Sequence, residues 1–533
     1  MNSIWNKNLK EFKKRFPPLA KMYENIIQTI CDANINNIDD FNAFFSFYTL
    51  SFAKNGQITG TQNSGDKKLQ LHSSFNPTKE ADNAFLNQTK KSQIIFLGCG
   101  LGYHVIKAAT LINCQTPLYK KLIVIENNPL YFFASLFVLD WSEVFKIENL
   151  ILAIGCPVDS LTALIETTNH INLGDEGLSD SHIFTLPSFT AHAKPYFDNV
   201  IKLIERNKTK NEINRATYNK FAKLWSRNSK LNLQNIEKCP KVNQLKTEYF
   251  SKNFLIVAAG PSLQNILPYI KQLKEKMIIV CVETALHSLL KNDVEPDFII
   301  LTDPQYYAYR HIAGLKAKNS ILIAPLSVHP AVFRFECKKL FLCTDQFFIS
   351  QHFEKKTKPF GDLGAGGSVA SSALNLCVLL QAKNIYIAGL DLSYPKNQTH
   401  IKGSSAEQNF LKQSQRLKTA DHLSISSMFF LKADYGINYE EKKVLTDERM
   451  KMFAWWFESR IASLKQINIF SVCKTSLKIP GCNYVDIKQV LEKMENEVKK
   501  CDTDNLIKDY FDYKTLIHDF DITKYSDMTI FPK

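Results

Sequence analysis

Four polar loops punctuate residues 254–400, and each follows a short apolar run. The first three loops also open a helical pattern, so strand and helix alternate along this stretch. Such alternation is typical of a parallel sheet with crossover helices, in which every strand ends at the same edge. Open α/β sheets bind ligands at that edge. The sequence therefore predicts an α/β fold that gathers four loops at one edge: residues 258–262, 301–304, 361–368 and 389–394.

The length of 533 residues is too great for one ordinary core and predicts two to four domains. The amino end lacks the apolar core of a signal peptide, and no run of 18 apolar residues occurs. We therefore expect a cytoplasmic protein without a membrane span. The predicted parts are an accessory region (1–88), a Rossmann-like domain (89–210), a helical connector (211–250), a central Rossmann-like domain (251–420) and a mainly helical carboxyl-terminal domain (421–533).

Local patterns predict individual elements in two of these parts. Residues 56–76 are polar and rich in Gly, Ser and Asn, which favours an exposed loop or a hairpin. Near the carboxyl end we expect a helix over about 447–464 and a strand at 467–471. Two closing helices are expected near 486–499 and 504–518.

The net charge of +14 and the isoelectric point near 9.0 suit an anionic ligand or an acidic partner surface. Most of the excess is Lys dispersed along the chain, however, which is typical of a solvated surface. No basic block interleaved with aromatic residues occurs, so nucleic-acid binding is not predicted. The twelve cysteines show no Cys-x-x-Cys pair and no Cys/His cluster, so the sequence predicts neither a zinc site nor a disulfide framework.

A glycine-rich turn follows the predicted strand at 94–97. Gly98, Gly100 and Gly102 precede a helix, and Glu126 closes the next strand. In binders of dinucleotides and S-adenosylmethionine, such glycines admit the ligand and the carboxylate holds ribose hydroxyls. This turn is therefore a candidate second nucleotide site and supports a methyltransferase as one alternative. A tight turn that needs Gly only for its conformation carries about equal weight.

In the central domain, the loop with Gly260, Pro261 and Ser262 joins a buried strand to a helical start. Gly260 allows close backbone approach, Pro261 presets the first turn, and Ser262 can cap the helix or bind a ligand. A phosphate placed there would meet helix N–H groups.

Two carboxylates follow the next strands. Glu283 and Asp303 each lie just past a strand end, where ligand binding and general-base chemistry are common. A helix cap is a real alternative for Asp303, because Asp before Pro often starts a helix. No Asp-x-Asp occurs here, so we expect no metal and no other required cofactor.

The third and fourth loops supply the other candidates. Gly366, Gly367 and Ser368 precede a helix and can form a nest of N–H groups for phosphate or a sugar carboxylate. No Lys-Ser/Thr pair follows, so the loop is not a Walker A motif. Further on, a strand delivers Asp391 and Tyr394, followed by His400. Tyr394 could donate to a departing phosphate, and His400 could act as general base.

Six elements in order resemble the motility accessory factor (Maf) family of flagellin glycosyltransferases, which contain a domain similar to hydroxymethylpterin pyrophosphokinase. A Rossmann-like amino-terminal domain and a helical tail are also expected from the resemblance. The carrying residues are Ile256 to Leu263 (Ile-Val-Ala-Ala-Gly-Pro-Ser-Leu), Glu283-Thr-Ala-Leu, Lys291 to Asp297, Thr302-Asp-Pro-Gln, Gly366-Gly-Ser-Val-Ala and Gly389-Leu-Asp-Leu-Ser-Tyr with Thr399-His400.

The family is in turn similar to bacterial sialyltransferases that use cytidine monophosphate (CMP) sugars without a metal. The resemblance implies a central glycosyltransferase domain, a GT-A-like variant. In it, residues 260–262 lie against the nucleotide, Glu283, Thr302 and Asp303 near ribose or base, and residues 366–368 against phosphate or the sugar carboxylate. His400, Tyr394 and Asp391 would be catalytic.

The implied reaction moves a nonulosonic acid of the pseudaminic or legionaminic type from its CMP carrier to Ser or Thr of flagellin, in support of flagellum assembly and motility. Three alternatives stay open: a methyltransferase that uses S-adenosylmethionine, a non-catalytic flagellin-binding protein and a pterin pyrophosphokinase-like enzyme. The sequence names neither the sugar nor the oligomeric state.

Overall fold

The computed structural model describes residues 1–64, 67–158, 160–161, 180–245, 252–345, 348–356, 358–364, 366–430 and 432–494. The chain forms two compact units, one built on Met1–Ala216 and the other on Thr217–Phe531. The division falls within one long helix, Lys194–Asn232.

The first unit contains two sheets. Strands β1 (Tyr48–Phe52), β2 (Ile58–Ser64) and β3 (Lys67–Gln70) form an antiparallel sheet, which confirms a hairpin within residues 56–76. Strands β4 (Gln93–Leu97), β5 (Lys121–Glu126), β6 (Leu150–Ile154) and β7 (Ser181–Thr185) form a parallel sheet in the order β6-β5-β4-β7. The helices of the first unit are Asn2–Arg15, Pro17–Met22, Glu24–Asp32, Ile38–Phe44, Pro77–Ala84, Tyr103–Ile112, Pro129–Ser135, Ser142–Phe145 and Pro187–Thr190, with a 3-10 turn at Ala191–Ala193.

The parallel sheet forms because its strands are apolar on both faces. Every residue of β4 is buried, as expected for a strand covered by helices on each side. The predicted accessory region packs onto the helices of this sheet: Trp5 stacks on Phe137 with ring centroids 4.5 Å apart, and Phe12 contacts Phe132 and Phe133. These rings belong to one aromatic core.

The second unit is built on one large sheet and one hairpin. Its strands are β8 (Asn253–Val257), β9 (Ile278–Val282), β10 (Phe298–Ile300), β11 (Lys316–Pro325), β12 (Glu336–Cys343), β13 (Asn384–Ala388), β14 (Ala433–Ile437), β15 (Lys443–Asp447), β16 (Asn468–Ser471) and β17 (Asn483–Tyr484). Its α-helices are Asn235–Lys238, Ile270–Lys276, Glu283–Leu290, Tyr306–Arg310, Phe348–Lys356, Val369–Leu379, Ser405–Gln413, Ala420–Met428, Glu448–Ser463 and Ile487–Lys493. Short 3-10 helices lie at Val242–Gln244, Pro261–Asn265, Leu267–Tyr269, Pro330–Arg334 and Pro395–Asn397.

The large sheet has eight strands in the order β12-β11-β10-β9-β8-β13-β16-β17, all parallel to their neighbours. The chain moves outward from β8 to β12 and then returns to the other side of β8, so the order reverses between β8 and β13. In open α/β sheets, ligands bind at the carboxyl edge near such a reversal. The predicted α/β, Rossmann-like fold class is confirmed.

Two loop predictions need correction. The loop at 361–368 follows the helix Phe348–Lys356 rather than a strand, because that helix lies between it and β12. The loop at 258–262 opens a 3-10 helix, and the α-helix of this crossover starts only at Ile270. Both sequences contain turn residues that do not by themselves specify which element comes before or after.

The carboxyl-terminal part combines helices and strands. The helix Glu448–Ser463 and strand β16 lie where they were predicted. Strands β16 and β17 extend the large sheet, while β14 and β15 form a separate antiparallel hairpin. The helix predicted near 486–499 is described over Ile487–Lys493, and the one near 504–518 lies outside the described residues. No helix in the described ranges is long and apolar enough to cross a membrane.

The end of the long helix covers part of the sheet edge. The amide nitrogen of Asn228 donates to the carbonyl oxygens of Pro304 and Ser327, at 2.9 Å in each case. Asn232 donates to the carbonyls of Leu326 and Val328, at 2.8 Å each. Both side chains are buried, so these bonds fix the loops that follow β10 and β11.

Candidate functional site

The loops after β8 and β13 are bonded to each other at the point where the strand order reverses. The Gly260 N–H donates to Gly389 O at 2.8 Å, and the Ser262 N–H donates to Asp391 Oδ2 at 2.8 Å. The Ser476 hydroxyl donates to Asp391 Oδ1 at 2.6 Å. Asp391 is 3% exposed, and burial raises its pKa. The structure therefore brings Gly260, Ser262 and Asp391 together, with Asp391 acting on the protein's own loop.

Gly260 is required by packing. A Cβ atom at this position would overlap Gly389 O and the carboxylate of Asp391. Because the N–H groups of Gly260 and Ser262 already have protein acceptors, a phosphate at this loop would have to compete with them. Pro261 between them has no N–H to offer and is buried.

Tyr394 lies against the helix Glu448–Ser463. Its hydroxyl donates to Asp447 Oδ2 at 2.6 Å, and both side chains are buried, at 3% and 1% exposure. Burial and the neighbouring carboxylate raise the pKa of Tyr394 to about 12. Asp447 also caps the helix by accepting from the Met450 N–H at 2.7 Å. The geometry thus gives Tyr394 a bond that stabilises the fold.

Glu283 is a buried acid at the carboxyl end of β9. It starts the helix Glu283–Leu290, is 4% exposed, and its Oε2 has no hydrogen-bond partner among the described residues. Burial, with a further contribution from Asp303, raises the pKa of Glu283 to about 8. A buried carboxyl group without a partner is costly unless it stays neutral or meets a ligand.

Asp303 lies at the end of the neighbouring strand. Its carboxylate accepts from the Gln305 N–H at 2.8 Å and from the Gln305 side chain at 3.3 Å, next to a partly exposed Thr302. This turn precedes the helix Tyr306–Arg310, whose N-cap is Gln305, so Asp303 bonds to the N-cap residue and does not itself cap the helix. Because β9 and β10 are adjacent parallel strands, Glu283 and Asp303 follow neighbouring strands at the same edge of the sheet.

Three more ionisable residues interact electrostatically at this edge. One is His400, and the other two, His311 and Arg449, were not predicted from the sequence. His400 is half-buried, and burial, His311 and Arg449 together lower its pKa to about 4. His311 hydrogen-bonds through Nδ1 to the Ser405 hydroxyl, and burial lowers its pKa while Asp303 opposes that shift. Arg449 is half-exposed in the first turn of its helix. Spacing along the chain gave no signal for His311 or Arg449.

We call Glu283, Asp303, His311, His400 and Arg449 the edge cluster. It combines a buried acid, an accessible carboxylate, two imidazoles and a guanidinium at the carboxyl edge of the sheet. Arg449 can attract an anionic ligand, and a neutral imidazole can accept a proton. Such a combination suits transfer chemistry on an anionic substrate.

The loop with Gly366, Gly367 and Ser368 packs on the helix Glu448–Ser463. A Cβ on Gly366 would lie 2.7 Å from the Trp456 ring, and one on Gly367 would lie 2.7 Å from the Phe453 ring. Gly367 also has a φ of +74°, which favours glycine. Ser368 caps the helix Val369–Leu379 by accepting from Ala370 N. Packing alone thus accounts for the glycines, and the phosphate role of this loop stays a prediction.

The glycine turn of the first unit is filled by protein side chains. A Cβ on Gly98 would lie 2.5 Å from Phe189 O, one on Gly100 would overlap the Phe189 ring, and one on Gly102 would lie 2.9 Å from the Trp141 nitrogen. All three glycines have positive φ. The tight-turn alternative therefore explains them.

Glu126, proposed with these glycines as a ribose ligand, bonds inside the first unit. Its Oε1 lies 2.9 Å from His192 Nε2, and it is 1% exposed. Tyr131 stacks on the His192 ring with centroids 3.9 Å apart. Across the described part of the chain, no group of three His, Cys, Asp or Glu side chains could hold a metal ion.

Together these features define a Rossmann-like α/β protein with ionisable residues at the carboxyl edge of its large sheet. Residues 43–150 match the glycosyltransferase Maf N-terminal domain, and residues 227–397 match the MptE-like 6-hydroxymethylpterin diphosphokinase domain. These two matches support a relationship to the Maf glycosyltransferase family. The resemblance found from the loop motifs is confirmed.

The chain is also similar to a solved structure in its fold and to curated proteins over part of its sequence. The Maf glycosyltransferase of Magnetospirillum magneticum AMB-1 has the same fold, with a TM-score of 0.54 and 13% identity over 93% of this chain and 78% of that one. Two uncharacterised proteins of Treponema pallidum (strain Nichols) are 29% and 26% identical over 37% and 38% of this chain. The chain spans 58% and 37% of the lengths of those two proteins.

Proposed function

We propose that this chain is a cytoplasmic glycosyltransferase that moves a nonulosonic acid, of the pseudaminic or legionaminic type, from a CMP-activated donor to Ser or Thr of flagellin. The observation that carries the proposal is the edge cluster, because it joins a guanidinium for an anionic donor to an imidazole that can accept a proton. The match of residues 43–150 to the glycosyltransferase Maf N-terminal domain supports glycosyl transfer as the reaction. The donor, the acceptor and their positions are our inference.

In the proposed reaction, the acceptor hydroxyl attacks the anomeric carbon of the sugar. A new carbon–oxygen bond forms, the bond from that carbon to the phosphate oxygen breaks, and CMP leaves with the electron pair. His400 accepts the hydroxyl proton; its low pKa keeps it neutral, and therefore able to do so, near pH 7. Arg449 opposes the negative charge that grows on the leaving phosphate.

Glu283 would serve the donor. Its orphaned Oε2 is a hydrogen-bonding atom that a bound ligand could satisfy, such as a ribose hydroxyl or an amino group of the base. The neighbouring carboxylate of Asp303 is more accessible and could bind a second hydroxyl. Neither role needs a metal ion.

The test is a transfer assay with CMP-pseudaminic and CMP-legionaminic acid and purified flagellin from the same organism. We expect flagellin to gain the mass of one or more sugars, with release of CMP, and His400→Ala to lose this activity. An assay with neither transfer nor donor hydrolysis for either sugar would reject the proposal.

Calorimetry separates the alternatives. CMP should bind, and S-adenosylhomocysteine should not, because Phe189 and Trp141 fill the glycine turn that a methyltransferase would use. Binding of S-adenosylhomocysteine alone would favour a methyltransferase. Pyrophosphate transfer from ATP to hydroxymethylpterin would favour the activity named by the second family match. Flagellin binding without any turnover would indicate a scaffold.

A further inference from the structure

A pair of short helices in the second unit exposes an unusual amount of apolar surface. The helices Ser405–Gln413 and Ala420–Met428 contact each other, the first buries no residue, and the second buries only Met428. Large apolar side chains instead face solvent, and we call them the hairpin surface: Leu411 (58% exposed), Leu417 (95%), Ile425 (47%), Phe429 (56%) and Phe430 (87%). Exposed apolar groups this concentrated mark an interaction site.

Two hydrogen bonds join the helix Ser405–Gln413 of this pair to the end of the helix Tyr306–Arg310 and the residue after it. Arg310 donates to Asn409 Oδ1 at 2.8 Å, and His311 bonds to the Ser405 hydroxyl. His311 is itself a member of the edge cluster. Tyr306 and Tyr307, 54% and 65% exposed, lie on the same short helix as Arg310. The helix Ser405–Gln413, which carries Leu411, therefore begins at a residue of the candidate active site.

The charged side chains around the hairpin surface indicate which kind of partner would bind to it. Residues 402–430 contain four basic side chains, Lys402, Lys412, Arg416 and Lys418, and two acidic side chains, Glu407 and Asp421, for a net charge of +2. Each helix has nine residues and is about 13 Å long at 1.5 Å per residue, which exceeds the size of one sugar. The surface thus fits a protein that presents apolar side chains among acidic ones.

We propose that the hairpin surface docks the acceptor protein and presents its hydroxyl group to the edge cluster. This inference rests on the proposed function, and it adds where the acceptor binds and what kind of surface it presents. Apolar contact supplies the affinity, and the basic residues speed and orient the encounter. The donor binds independently, at the carboxyl edge.

The test separates docking from chemistry by measuring two reactions of the full-length protein. Leu417→Asp and Phe430→Asp change side chains that are 95% and 87% exposed, so the fold should survive. We expect hydrolysis of the CMP-sugar to stay at the parent rate and kcat/KM for transfer to flagellin to fall at least about tenfold, through KM. Leu231→Asp, on a side chain 54% exposed outside this surface, is the matched control and should leave both reactions unchanged.

A charge variant makes the test independent of any change in apolar packing. Lys418→Glu should raise KM for flagellin and weaken its dependence on salt, again without affecting hydrolysis. If Leu417→Asp, Phe430→Asp and Lys418→Glu all transfer sugar as the parent does, the docking assignment is wrong. Absence of both reactions in the parent would instead reject the proposed function.

Other occupants give distinct results. Sedimentation that shows a dimer in the parent and a monomer in Leu417→Asp, with normal transfer, would assign the surface to a second copy of this chain. Binding to anionic lipid vesicles that Phe430→Asp abolishes, with normal transfer, would assign it to a membrane. Either result would overturn the proposal.

Discussion

Tyr394 and Asp447 form a buried pair in which the phenol donates to Asp447 Oδ2 at 2.6 Å. The two residues lie 53 positions apart, and the pair joins the loop after β13 to the helix Glu448–Ser463. A residue that the sequence suggested for leaving-group chemistry therefore has a structural partner. A structural role and a leaving-group role for Tyr394 predict different behaviour of the Tyr394→Phe variant.

Tyr394→Phe should lower the free energy of unfolding by about 1–3 kcal/mol, because Asp447 would keep its buried charge and lose one of its donors. Urea denaturation measures this change, with the exposed Tyr435→Phe as control. Turnover corrected for folded protein should stay close to that of the parent. A turnover about 100-fold lower at unchanged stability would return Tyr394 to the leaving-group role.

His400 sets the acid limb of the rate profile if it is the general base. Its imidazole must be neutral to accept a proton, so activity should fall as pH drops through its pKa of about 4. His400→Ala should lower turnover by about 100-fold and remove this limb. His311→Ala should move the limb to higher pH, because His311 helps to lower the pKa of His400. A limb that persists in His400→Ala would exclude this base.

Glu283 makes stability depend on pH. Its pKa rises from an ordinary 4.5 to about 8 in the folded protein, so between these values folding takes up a proton. The free energy of unfolding should therefore fall as pH rises through this window, by at most about 1.4 kcal/mol per pH unit. Glu283→Gln should flatten the profile, whereas the exposed Glu492→Gln should not. Identical profiles for parent and Glu283→Gln, from thermal unfolding at several pH values, would contradict the assignment.

Substitutions at two glycines distinguish the stability cost of overpacking from the stability cost of backbone strain. Gly260 has an ordinary φ of −69° but no room for a Cβ, whereas Gly314 has a φ of +77° and open space around it. Gly260→Ala should cost about 1–3 kcal/mol through overpacking, and Gly314→Ala about 1–2 kcal/mol through its left-handed conformation. Denaturant midpoints measure both. A harmless Gly260→Ala would mean that the loops after β8 and β13 are not held as closely as described.

Removal of metal ions should leave glycosyl transfer unchanged. The prediction follows from the absence of an Asp-x-Asp motif at the strand ends that carry Glu283 and Asp303, and from a mechanism that uses only protein side chains. Activity with and without a chelator checks it. Loss with the chelator and recovery with magnesium or manganese would point to Asp303 as a ligand.

The strands of both parallel sheets could be predicted because buried parallel strands are continuous apolar runs in the sequence. Side-chain partners could not, because they come from distant positions. His311 meets Ser405 across 94 residues, and neither residue belongs to a recognisable motif. Long-range contacts of this kind depend on how the crossovers pack.

The glycine turns show a second limit. A glycine before a helix signals the same local conformation whether a ligand or a protein side chain approaches it. At Gly100 the approaching group is Phe189, and at Gly367 it is Phe453, each more than 80 residues away in sequence. The sequence therefore indicates that a glycine is needed at such a position, but not which group packs against it.

The side-chain amide groups of Asn228 and Asn232 determine where a stable fragment containing the second unit should begin. A fragment designed on the strand pattern would begin near residue 251 and would leave four backbone carbonyls after β10 and β11 without their donors. Orphaned carbonyls of this kind cost stability in any truncated product. A fragment that contains the second unit should therefore start at Thr217, because it then keeps the end of the long helix, with Asn228 and Asn232, bonded to the sheet edge.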